Sequence, residues 1–147
     1  ASPHLAARRE GRTISKDRIK KSYKALCRRF DYVIVEGTGG ALVPFSEKGL
    51  IIDIARELGM PALIVVGNRL GAINHTLLTI EAMKKRKMRT IGIIFNNIYG
   101  RTKKTILRDN VRIIAKITGE KILGELTRMK SKEKLRRAFR PIGERVL

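Results

Sequence analysis

The sequence predicts an α/β fold with a mostly parallel sheet and helices on both faces. Two observations carry that prediction. Short apolar runs at Tyr32–Val35, Ala62–Val66 and Thr90–Phe95 have the length and the Val/Ile content of buried strands. Segments with apolar residues at helical spacing alternate with them, and strand-helix-strand-helix is the order of βαβ units. Right-handed crossovers then place helices against the sheet. The 147 residues suit a single domain, 1–147, long enough to bury a core.

Each element has its own signal. Ser15 is placed to cap a helix, with Asp17 in the first turn and Ile19, Tyr23, Leu26 and Phe30 along one stripe, which also takes in Cys27 as a core residue. Ser2-Pro-His4 reads as a loop start. Asp31–Gly37 is expected to be a strand, and Thr38-Gly-Gly-Ala41 a turn. Leu50–Leu58 reads as a short helix closed by Gly59 and followed by Pro61. Ala62–Val66 is a second buried strand, and a helix over about Ile73–Lys87 follows a loop containing Gly67 and Gly71. Thr90–Phe95 is the third strand. A helix over about Thr102–Ile117 stops at Gly119, Lys121–Leu126 is the fourth strand, and Ser131–Phe139 is a last short helix.

Composition removes several function classes. One cysteine excludes an internal disulfide framework and a Cys-rich zinc site, and two histidines cannot make a three-histidine site. With that cysteine usage and no charged-then-apolar opening segment, a reducing, cytoplasmic setting is expected. No apolar run approaches the roughly 20 residues of a spanning helix, so no membrane role is expected. The net charge is +20, concentrated in residues 1–30 and 101–147; a field of that sign attracts phosphates, and the same composition equally makes a solvated, charge-rich surface such as a heat-adapted protein carries. Aromatics are only 5% and Trp is absent, which leaves no stacking platform and argues against a nucleic-acid partner. Neither Gly-x-x-x-x-Gly-Lys-[Ser/Thr] nor Gly-x-Gly-x-x-Gly occurs.

Ligands of parallel sheets sit at the carboxyl ends of strands. That rule selects Glu36–Gly40, Gly67–His75, Asn96–Gly100 and Glu125–Met129. Glu36 before Gly-Thr-Gly-Gly suits a Mg²⁺ ligand beside a phosphate-binding turn, because Mg²⁺ takes one or two carboxylates together with phosphate oxygens. The same residues also make an ordinary strand-to-loop turn with a solvated glutamate. Asn74, at the start of a helix, is placed either to cap it or to touch an anionic ligand. Asn96 and Asn97 offer both a donor and an acceptor to a base edge, and equally favour a turn.

Taken together, these segments resemble the dethiobiotin synthetase family. The resemblance is carried by Ser2-Pro-His4, Val35-Glu-Gly-Thr-Gly-Gly40, Val65-Val-Gly-Asn-Arg-Leu-Gly-Ala-Ile-Asn-His-Thr-Leu-Leu-Thr79 and Gly92-Ile-Ile-Phe-Asn-Asn97, with Leu123-Gly-Glu-Leu126 as a weaker fifth. It implies a P-loop NTPase-like, three-layer α/β/α fold, incomplete at its N-terminus. In that family a phosphate loop and catalytic lysines precede the Ser-Pro-His segment. The chain is therefore read as the carboxyl-terminal two thirds of a synthetase, with no catalytic residue of its own and no activity alone. Apolar edges beside Tyr32–Val35 are then expected to be exposed and stability reduced.

The resemblance further implies ATP-dependent closure of 7,8-diaminononanoate with CO₂ to dethiobiotin, through a carbamate and its phosphorylated anhydride. Glu36 would hold Mg²⁺, and Glu36, Gly37, Thr38 and Gly39 would line the ATP phosphates. Asn96 and Asn97 would read adenine, and Thr127, Arg128 and Met129 stand where the family packs a proline-containing stretch on the base. Ile73 and Asn74 would hold the substrate carboxylate at the interface of a homodimer. Three other readings compete. They are a related cobyrinate-type amide-forming synthetase, which should lack the Gly-Ala-Ile-Asn-His segment, a basic nucleic-acid-binding module, and a short protein needing a partner that carries the phosphate loop.

Overall fold

The computed structural model describes residues 1–98, 100 and 102–146; Tyr99, within the predicted strand-end segment Asn96–Gly100, lies outside the described residues, as does Leu147. The chain divides into two compact units, Ala1–Met60 and Pro61–Leu147.

The first unit holds α1 (Pro3–Arg9), α2 (Lys16–Cys27), β1 (Pro44–Ser46), β2 (Gly49–Leu50) and α3 (Ile51–Glu57). Ser2-Pro-His4 opens a helix rather than a loop, because proline at the first helical position lacks only an N–H that would be unpaired there anyway. The α2 start is as the sequence predicts: the Ser15 hydroxyl accepts from the Arg18 N–H at 3.2 Å. The helix ends at Cys27, before Phe30, and Cys27 is exposed rather than in the core.

Asp31–Gly37 is not a strand. A strand exists only where a neighbour completes its hydrogen-bond ladder, and the only pairing in this unit is the short antiparallel β1–β2. Tyr32 (71%), Ile34 (96%) and Val35 (51%) are exposed, in irregular backbone rather than along the edge of a strand. The buried side chains of the unit are Phe45, Ile52 and Ile54. At Gly49 a Cβ would come within 2.5 Å of the Phe45 ring, so that strand position has no room for a side chain. Lys16 and Lys20, one turn apart on α2, both pair with Glu57 at the end of α3, Lys16 Nζ at 2.9 Å, and so tie the two helices together.

The second unit is a parallel three-stranded sheet in the order β3-β4-β5, formed by β3 (Ala62–Gly67), β4 (Thr90–Asn97) and β5 (Ile122–Thr127). Its helices are α4 (Ala72–Lys85), α5 (Lys104–Thr118) and α6 (Lys132–Gly143). The two crossovers run in the same direction across the sheet, so right-handedness puts α4 and α5 on one face. Ile94 clusters instead with Leu123 and with Ile142 of α6, which covers the alternate face. Gly124 permits that approach, since a Cβ there would meet Ile142 Cγ1 at 2.7 Å. Ile93, Phe95 and Ile114 are wholly buried.

Three boundaries differ from expectation. β3 is half-covered rather than buried on both faces: Ile64 and Val66 are inside while Leu63 and Val65 (61%) are exposed, because they lie on the face of Ile94, where α6 packs on β5. β4 runs on through Asn97, since β5 supplies partners as far as Thr127. α6 continues past Phe139 through Pro141 to Gly143, held by Ile142 against β5 and by the Arg145 guanidinium donating to the Leu123 carbonyl at 2.8 Å.

Two outcomes follow from this packing. At Gly92 a Cβ would sit 2.7 Å from the Lys121 carbonyl oxygen and 2.8 Å from Leu123 Cγ. Gly92→Ala should therefore cost about 1–3 kcal/mol by urea denaturation; an unchanged midpoint would show that β5 yields easily. The hydrogen bonds from Lys20 and then Lys16 hold the Glu57 carboxyl at about 2, below its ordinary 4.5. The stabilisation is present above 4.5 and is lost as pH falls through about 2. The difference in urea midpoint between the parent and Glu57→Gln should shrink across that window, and a difference independent of pH would exclude the ion pairs as its source.

Candidate functional site

Parallel pairing brings three strand ends to one edge of the second unit. The register sets Gly67 beside Asn96, Asn96 beside Leu126 and Asn97 beside Thr127. Asn96, Asn97 and Thr127 are thus ladder neighbours, with Arg128 and Met129 continuing from Thr127. Both asparagines are strand residues, not a turn after the strand.

The Asn97 amide is half used. Its Nδ2 donates to Glu125 Oε2 at 2.9 Å, which fixes the orientation of the group. Its Oδ1 is buried and has no hydrogen-bond partner among the described residues. A buried amide oxygen with its donor side engaged can accept from one more N–H, such as an amino group on a planar ring.

A short turn, Asn68–Gly71, joins the end of β3 to α4. Gly71 caps α4 at φ 89°, a left-handed conformation that glycine adopts without strain. Asn74 therefore does not cap the helix; it lies in the first turn, exposed, beside half-buried Ile73. No side chain caps the helix and no acidic residue stands in its first turn, so nothing within α4 balances the positive dipole end. A carboxylate suits that position.

Beneath the turn lie Asn68, wholly buried, and Asn110 of α5, also buried. Asn110 Nδ2 donates to Asn68 Oδ1 (2.8 Å) and to the Arg69 carbonyl (3.0 Å), while Asn68 Nδ2 donates to the Leu107 carbonyl (3.1 Å). Sequence reasoning assigned no role to this pair. Its signal, two polar residues 42 positions apart, becomes visible only once the fold joins them. Glu125 was seen only as part of a strand end, and its hold on Asn97 comes from β4–β5 pairing.

Glu36, Gly37, Thr38 and Gly39 belong to the first unit, exposed, in a segment without regular structure. Gly39 has φ 77°, and a Cβ at Gly37 would stand 3.2 Å from Ile51 Cγ2. Among the described residues no group of three or more His, Cys, Asp or Glu could hold a metal by itself. A lone carboxylate beside glycines fits Mg²⁺ whose other ligands are phosphate oxygens and water, and does not fit an all-protein cage. No described helix is long and apolar enough to cross a membrane.

Comparison with known proteins agrees with this arrangement. The AAA domain family matches residues 1–134. The chain is 39% identical over 137 residues to the ATP-dependent dethiobiotin synthetase of Clostridium perfringens, covering 90% of this chain and 59% of that protein. It is 39% identical over 124 residues to the enzyme of the same name from Akkermansia muciniphila (84% and 58%), and 46% identical over 97 residues to that from Aromatoleum aromaticum (66% and 43%). The chain thus spans 43–59% of the length of these curated relatives. The match along residues 1–134 places it plainly: the chain belongs to the AAA domain family, and along most of its length it is similar to dethiobiotin synthetases.

Proposed function

We propose that the protein carrying this chain closes 7,8-diaminononanoate with CO₂ to dethiobiotin at the expense of ATP. The observation that best supports the reading is the strand-end group Asn96, Asn97 and Thr127, in which the Asn97 Oδ1 acceptor is buried and its amide is fixed by Glu125. The activity for which the similar proteins are named supports it as well.

The chemistry needs three steps. One amine of the substrate adds CO₂ and loses a proton to give a carbamate. A carbamate oxygen then attacks the γ-phosphorus of ATP, and ADP leaves. The second amine attacks the carbamoyl carbon, phosphate departs, and the cyclic urea closes. Each step handles anions, so positioning and charge stabilisation dominate the catalysis.

In this reading Glu36 would hold Mg²⁺, which when bound would supply charge neutralisation at the phosphates. Gly37, Thr38 and Gly39 present backbone N–H groups to the phosphates. Asn96 and Asn97 face the adenine edge, and Thr127, Arg128 and Met129 lie alongside the base. Ile73 and Asn74, in the first turn of α4, hold the substrate carboxylate, for which the unbalanced helix start provides the field. Leu70 (82% exposed) and Leu78 (53%) flank that turn and suit burial against a second copy, so the enzyme is taken as a homodimer acting in the cytoplasm.

Two substitutions test these roles in dethiobiotin-forming assays. Glu36→Gln should lower Mg²⁺-dependent turnover by about 10²–10³-fold, the scale for losing one charge-stabilising group, without altering the melting temperature. Parent-like turnover at low Mg²⁺ would reject the ligand role. Asn97→Ala should raise the KM for ATP by about tenfold with kcat little changed, as expected for one lost base contact. An unchanged KM would move adenine recognition elsewhere.

A further inference from the structure

We propose that Asn68 and Asn110 are positioning residues that set the spacing between the strand end bearing Asn96 and the start of α4. The inference rests on the roles given above to Asn96, Asn97, Ile73 and Asn74.

The hydrogen bonds form one continuous path between those two places. The Asn68 backbone N–H donates to the Asn96 carbonyl at 3.0 Å, which extends the β3–β4 ladder one residue beyond β3. The Asn68 side chain is gripped by α5 at both ends, giving a hydrogen bond to Leu107 and receiving one from Asn110. Asn110 also donates to the Arg69 carbonyl, and that same carbonyl accepts from the N–H of Ala72, the first residue of α4. Backbone carbonyls only accept, so the Leu107 and Arg69 contacts fix which way round both amides lie.

Burying two amides is an unusual way to fill space. An apolar pair of the same volume would need no hydrogen bonds and would stabilise through burial. What an apolar pair lacks is direction. A fully satisfied amide pair allows one arrangement of strand end, turn and helix start, and disfavours the small shifts that greasy packing tolerates. Those are the elements from which the proposed site takes its adenine contact and its carboxylate contact.

The test separates positioning from simple stability. Asn110→Leu leaves the buried Asn68 Oδ1 without its donor, and Asn68→Leu strips Asn110 Nδ2 of one of its two bonds, so each alone should destabilise the protein. The double variant removes both side chains, while the Arg69 carbonyl retains its bond from Ala72. It should recover most of the lost stability. Positioning predicts that it nevertheless keeps KM values for ATP and the diamine raised by about tenfold, because misplaced binding groups lose affinity in a stable fold. A double variant with parental stability and parental KM values overturns the proposal.

Amide hydrogen exchange gives a second readout that needs no turnover. In Asn110→Ala, exchange at Asn68 and in the first turn of α4 should accelerate by about tenfold or more while Ile93–Phe95 remain protected. Uniform acceleration through β4 would mean a general loss of stability and would overturn the proposal even where the double variant fails to fold. If the parent protein forms no dethiobiotin from ATP, the functional reading fails, and the exchange pattern alone then decides whether the pair fixes these two segments.

Discussion

The second unit is organised by β4. It is the middle strand of three, and its Ile93 and Phe95 are wholly buried while Ile94, on the alternate face, is 3% exposed. A strand covered on both faces and paired on both sides leaves its neighbours little choice of register, because a one-residue slip would turn every side chain to the wrong face. In that register β3 ends opposite Asn96 and β5 opposite Asn97. That alignment puts Gly67, Asn97 and Thr127 on one edge, and the turn to α4 begins there. The edge is a by-product of core packing, and the proposed site makes use of it.

Much of this was readable in the sequence for local reasons. Ser15 and Ser131 announce helix starts because a hydroxyl at that position bonds the N–H three residues on, and both do so in the fold. β3 and β4 stand out as aliphatic runs bounded by turn residues, and β5 as a shorter, interrupted apolar segment. What could not be read depends on distant partners. Asp31–Gly37 has the composition of a strand, but strand formation belongs to the pair and not to the segment. Asn96 and Asn97 look like turn residues by propensity, yet the ladder to Leu126 and Thr127 keeps them extended. Of the candidate site, residue types and order were legible from the resemblance. The Glu125 grip on Asn97 and the Asn68–Asn110 pair were not, since each joins residues far apart in the chain.

The proposed chemistry draws on two kinds of local structure. Glu36 and its glycines lie in exposed irregular backbone, where N–H groups are free to turn toward phosphate oxygens. Asn96, Asn97 and the α4 start are tied by ladder and side-chain hydrogen bonds. The division matches what each ligand asks for. Phosphates are recognised by charge and by any suitably directed N–H, whereas a base edge is recognised by the fixed placement of one donor or one acceptor.

The half-used amide of Asn97 has a consequence for nucleotide choice on the proposed reading. One N–H of its Nδ2 is held by Glu125, and the buried Oδ1 is the atom left to offer a lone pair to the ring. Adenine meets that lone pair with an exocyclic amino group, and guanine with a carbonyl oxygen. Two acceptors facing one another in a buried place repel. Selection against guanine nucleotides would then arise from what Asn97 cannot do once Glu125 has immobilised it, and a freely rotating amide at the same position would lose that veto.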